Sequence, residues 1–237
     1  MKKVFSKTIS GLFIFSVAMG YLETAVVVYL RELYYPGGFN FPLRNMSMQI
    51  VNTELLREAA TIIMLYMIGH LPAKNKAQRF GYFIFCFAVW DIFYYVFLKM
   101  LLNWPATIFD WDILFLIPLP WVGPVLAPVI VSLSMILWAL LIEFYSSTEK
   151  VKITAKQWTM FVTGSIIIIT SFIMDYILEA IHGSDVFRFG LSHLPQHYNW
   201  WLFAIGQLIM LYGILLQNNF LFRLINQNRT SQNAIQH

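Results

Sequence analysis

Six apolar stretches dominate the chain: Ile9–Leu30, Ile50–Leu71, Phe80–Leu102, Val122–Tyr145, Trp158–Ile181 and Trp200–Leu221. A helix rises about 1.5 Å per residue, so roughly 20 apolar residues cross the hydrocarbon layer of a bilayer, about 30 Å thick. No water reaches that layer to satisfy backbone N–H and C=O groups, so a spanning segment must satisfy them internally, as a helix does. The expectation is an all-α fold: a polytopic membrane helix bundle of about six transmembrane helices, making one integral membrane domain over residues 1–237. Charged residues are only 12% of the chain, against about 25% in soluble domains, and the spans leave no stretch for a separate soluble domain. Lys2 and Lys3 ahead of an apolar run resemble a signal peptide, but the run continues through Val26-Val27-Val28 to Leu30 and reads as an uncleaved first helix.

The connecting segments alternate in charge. One set holds Lys2, Lys3 and Lys7; then Lys74, Lys76 and Arg79; then Lys150, Lys152 and Lys156; and finally Arg223 and Arg229. The opposite set, helix ends included, has only Arg31, Arg44, Arg57, Lys99 and Arg188. The positive-inside rule puts the first set in the cytoplasm and therefore both termini there. Trp104, Trp111, Trp121, Trp200 and Trp201 then fall near the outer interface, where amphipathic rings prefer to sit. A bacterial cytoplasmic (inner) membrane is the expected location. The net charge of +4 reports orientation, not nucleic-acid binding. The single Cys86 excludes an intrachain disulfide and a Cys-rich metal motif.

Before the fourth span, Pro118, Pro120, Pro124 and Pro128 crowd into a dozen residues. Proline removes a backbone donor and ends or kinks a helix. Residues Ile113–Trp121 therefore read as an irregular outer segment packed on the bundle, either a lid or cavity wall or simply the kinked start of the fourth helix.

Acids are distributed one-sidedly. Glu143 and Glu149 lie at the cytoplasmic side, and the others lie in the outer halves of spans or in outer loops. A charge at the bilayer centre costs at least about 2.5–3.5 kcal/mol, so an intramembrane acid faces protein or water. By helical rise, Glu23 lies about 10 Å below the outer end of its helix, Glu58 about 12 Å, Asp175 about 9 Å, Asp91 about 16 Å, and Gln207 about 10 Å. Polar groups of five helices at similar depth suggest one shared, outward-facing cavity. The second span must include Asn52, Glu54, Arg57 and Glu58 to be long enough. Glu54 and Glu58 share a face, and pairing of Arg57 with Glu54 would leave Glu58 the freer carboxylate. Tyr94 and Tyr95 follow Asp91 near its face and are placed to donate to it.

Ser171, Asp175, Glu179 and His182 lie on one face of the fifth span, and Glu-x-x-His is the spacing by which one helix offers two metal ligands. A single divalent metal ion on Asp175, Glu179 and His182 is one reading. The other is a helix end whose acids pair with Lys99 or Arg188 and whose His is solvated. His193 and His197 flank Pro195 in the last outer loop, and their spacing carries little information.

The functional expectation is an integral membrane protein whose carboxylate-lined cavity binds or acts on a lipidic or amphipathic small molecule. In it, Glu58, Asp91 and Asp175 are the candidate acid–base groups, and Glu23, Glu54, Tyr95 and Gln207 the candidate substrate contacts. The alternatives are a transporter or channel for a small cationic or protonated solute, and a structural subunit of a membrane complex. Membrane lipids are the expected partners, with a homo-oligomer or larger membrane complex as further options. Phosphate-cradling loops, serine elbows and HExxH sites are absent from the sequence.

Overall fold

The computed structural model describes residues 7–40, 44, 46–117, 119–146, 152–181 and 197–216, with backbone alone at 179 and 180. The six helices are α1 (Lys7–Tyr34), α2 (Met48–His70), α3 (Lys76–Leu102), α4 (Leu126–Ser146), α5 (Ala155–Ile181) and α6 (Trp200–Leu215). Each lies on one of the six apolar runs. The four helices α1, α3, α4 and α5 are long and apolar enough to cross a membrane. The end of the sixth run, to Leu221, lies outside the described residues.

One difference from expectation is the stretch before α4. It pairs as an antiparallel hairpin of β1 (Trp111–Phe115) and β2 (Trp121–Pro124), in which Asp112 faces Gly123 and Ile113 faces Val122, with a register shift between Ile113 and Phe115. Pro124 ends β2, and Pro120 lies in the loop outside the paired residues, the places in a sheet where proline is tolerated. Val122–Pro124 thus belongs to a strand, and α4 starts at Leu126. Asp110 anchors the hairpin's base: its carboxylate accepts from the Ala106 N–H (2.7 Å) and the Thr107 hydroxyl (2.8 Å).

Helix α3 is the centre of the molecule, packing against α1, α2 and α4, while α5 lies along α6. The largest core cluster gathers Ile9, Leu65, Ile84, Phe85, Trp138 and Ile142 from α1 to α4, with Ile214 of α6. A second joins Ile168 and Phe172 of α5 to Phe203 and Met210 of α6, and β2 packs onto this pair. Gly69 brings α2 against α3, since a Cβ there would lie 2.7 Å from the Phe83 backbone nitrogen.

Helix α2 has its polarity reversed relative to a soluble helix. Val51, Glu54, Glu58, Thr61 and Leu65 form its buried face, at alternating spacings of three and four residues, while Leu56 and Ile63 are 73% and 62% exposed. Burying carboxylates while exposing leucine is costly in water and favourable in lipid, where the outer face has apolar surroundings.

Candidate ligand cavity

A partly open cavity of about 140 Å³ lies between the C-terminal end of α1, the N-terminal end of α2, the C-terminal half of α3 and the hairpin. Its position follows from local structure. The i, i+3, i+4 spacing of α2 turns Glu54 and Glu58 inward. Thr24 of α1 bonds its own helix at Gly20 (2.9 Å) and also reaches the Tyr94 carbonyl of α3 (3.1 Å), which sets Glu23 and Val27 beside Trp90 and Tyr94. The hairpin closes one side with Asp112, Ile113, Leu114, Leu116 and Pro120.

Two ion-pair systems organise the wall. Arg57 holds Glu54 (Nε to Oε2, 2.8 Å) and Glu23 on the neighbouring helix. Arg31, at the end of α1, pairs with Asp112 of β1 at 3.3 Å. Its guanidinium lies over the rings of Trp104 (3.9 Å) and Phe39 (4.5 Å), an arrangement that planar arginine favours. Burial pushes the Asp112 carboxyl up to about 6, from an ordinary value of 3.8. Arg31, the Ile113 N–H and the hydroxyls of Tyr95 and Tyr94 restrain the rise.

Two further carboxylates make no ion pair among the described residues. Glu58, 7% exposed, accepts the backbone N–H of Leu116 at 2.9 Å. Asp91 accepts the Ser132 hydroxyl of α4 at 2.8 Å. Trp90 also lines the cavity, and its buried indole N–H finds no acceptor among the described residues.

Of the residues singled out from sequence, Glu23, Glu54, Glu58, Asp91 and Tyr95 share this cavity. Arg57 does pair with Glu54. Tyr94, expected to serve Asp91, donates instead to Asp112 at 3.4 Å. Asp175 and Gln207 are not among the lining residues. Gln207 of α6 donates to Ser134 of α4, and Asp175 is half-buried on α5. The physical reason is that α5 and α6 meet the other helices away from the cavity, through Ile214, Phe161 and the Gln207–Ser134 hydrogen bond. Helices α5 and α6 pack along each other, and the hairpin that lines the cavity also packs on α5, with Trp121 stacked on Phe172 (6.1 Å between centroids). The side chain of Glu179, together with His182 and His193, lies outside the described residues. Among the described residues no group of three His, Cys, Asp or Glu side chains is arranged to hold a metal ion.

Sequence reasoning missed Arg31 and Asp112, which read as an outer helix end and an outer-loop acid. Their pairing across 81 positions has no local signal beyond the opposite charges themselves. No protein-family model, curated protein or solved structure matches this chain.

Proposed function

We propose that this chain spans the membrane six times with both termini in the cytoplasm, and that it binds an amphipathic small molecule in a cavity open to the outer side. The observation that carries this reading is the wall itself: five carboxylates and three arginines around one space, among aromatic and aliphatic side chains. Such a wall offers fixed charges to a polar head and apolar surface to a tail. The volume supports the same class of ligand. A protein cavity of roughly 150 Å³ holds a benzene-sized molecule. The space here, about 140 Å³, thus suits a head group and its first few carbons, the remainder of a longer chain lying in lipid.

Transport is less well supported. The next acid toward the other face, Glu143, accepts from Tyr82 (2.7 Å) and Gln78 (3.3 Å). Tyr82 precedes Asp91 on α3 by nine residues, or about 13 Å of helix. Phe85, Cys86, Ala88, Met135 and Trp138 fill that interval as buried, close-packed apolar groups.

The reading is tested by native mass spectrometry of wild type and of a cavity-filled variant, Val51→Trp. Small-molecule adducts on the wild-type protein that disappear from the variant are expected. Equal adducts on both, or none on the wild type, would overturn it.

A further inference from the structure

Resting on that reading, the distribution of charge in the wall says what kind of head group the cavity takes. The arginines are largely committed. Arg57 is shared by Glu23 and Glu54, and Arg31 is bonded to Asp112 and covered by Trp104 and Phe39. Arg44 stands at the exposed rim with its guanidinium 5.6 Å from the Tyr35 ring, where water screens it.

Two acids of the wall remain without an ion pair among the described residues. Glu58 is nine-tenths buried, lines the cavity and receives one backbone N–H. Asp91 receives one hydroxyl. An ionised carboxylate has about four acceptor sites, so each keeps capacity for more donors. Burying a carboxylate with neither a cation nor a full set of donors is costly. The indole N–H of Trp90 is a buried donor on the same wall with no acceptor among the described residues; an ammonium supplies no acceptor to it, so only the ring of Trp90 bears on the head group.

We infer that the cavity receives the ammonium head of a primary-amine amphiphile, with Glu58 and Asp91 as its acceptors. A primary ammonium brings one positive charge and three N–H donors, matching two acids that each hold a single hydrogen bond and no ion pair among the described residues. The rings of Trp90, Tyr94 and Tyr95 line the same space and are attractive to a cation over their faces. A hydroxyl head would supply a donor without charge. A carboxylate head would add to the excess of acids. A metal ion fits less well, because Glu23 and Glu54 are already spanned by a guanidinium.

The experiment measures binding of four probes to the full-length protein in nanodiscs by thermal shift at pH 7: decylamine, decyltrimethylammonium, decan-1-ol and decanoate. Decylamine should bind at least tenfold more tightly than each of the other three. Glu58→Gln and Asp91→Asn should each reduce that preference to less than threefold. The wild-type comparison decides the matter even where a variant fails to fold. Decanol or decyltrimethylammonium binding as well as decylamine would overturn the amine assignment while leaving an amphiphile-binding cavity in place. Retention of the amine preference in both variants would remove Glu58 and Asp91 as its basis. Binding of none of the four would count against the cavity's proposed function as well as this inference.

Discussion

The carboxylate of Glu58 accepts the backbone N–H of Leu116 across 2.9 Å, tying α2 to the loop of a hairpin 58 positions later in the chain. This contact joins the cavity's acid wall to its cover. A hydrogen bond to a charged group contributes about 1.5–3 kcal/mol. Glu58→Leu should therefore speed amide exchange at Leu116 by roughly tenfold to a hundredfold. Glu58→Gln, which keeps an acceptor oxygen, should do so much less. Hydrogen exchange read by mass spectrometry distinguishes them, and unchanged exchange in Glu58→Leu would show that the contact does not hold the hairpin.

Arg57 is the cation whose loss should be felt most. Arg57→Gln leaves Glu23 and Glu54 buried together with no counter-charge, and breaking a buried pair in this way costs about 3–5 kcal/mol. The triple variant Arg57→Gln, Glu23→Gln, Glu54→Gln should regain most of that loss, because no uncompensated charge remains. Unfolding in mixed detergent micelles measures both. A triple variant no more stable than the single one would mean that the arginine acts through packing rather than charge.

Stability should also depend on pH through Asp112. Its folded value of about 6 lies above its ordinary 3.8, so between these limits the folded protein retains a proton that the unfolded chain has released. The stability contributed by this group is present in full below about pH 4 and is lost as pH rises through about 6. Asp112→Asn should flatten the fall in melting temperature across that window. An identical slope in the variant would assign the dependence to other groups.

The α5–α6 pair depends on close backbone approach. A Cβ on Gly206 would lie 2.8 Å from the Gly164 carbonyl oxygen and 2.8 Å from Ile168. Gly206→Leu should force the two helices apart, at a cost of about 1–3 kcal/mol or more, whereas Gly11→Leu, with open space around it, should be near neutral. The difference between their melting temperatures checks this.

Much of the helical framework was legible because hydrophobic run length is a local signal. The run from Trp158 begins within α5 and ends with it at Ile181. The inward face of α2 was legible for a similar reason, since a spanning helix could not be built there without Glu54, Arg57 and Glu58. The hairpin was not legible. Proline-rich sequence between Ile113 and Trp121 argues against helix but does not reveal strand pairing, which is set by partners across a loop and by the surface offered by Phe172 and Tyr198. Depth along a helix placed Asp175 and Gln207 at the level of the cavity acids. Depth does not specify azimuth or which helices are neighbours, and α5 turned out to pack along α6 and against the hairpin.

The central claim is that one cavity, lined by Glu23, Glu58 and Asp91, opens to the outer side of the membrane. Its most direct test is thiol accessibility in a Cys86→Ala background. Val27→Cys lies in the cavity wall and Met46→Cys beside it in the segment before α2, while Lys76→Cys marks the opposite end of α3. A small membrane-impermeant methanethiosulfonate added to intact cells should label Val27→Cys and Met46→Cys and should reach Lys76→Cys only in inside-out vesicles. Labelling of Lys76→Cys in intact cells, with Val27→Cys and Met46→Cys reached only from the inside, would contradict the account.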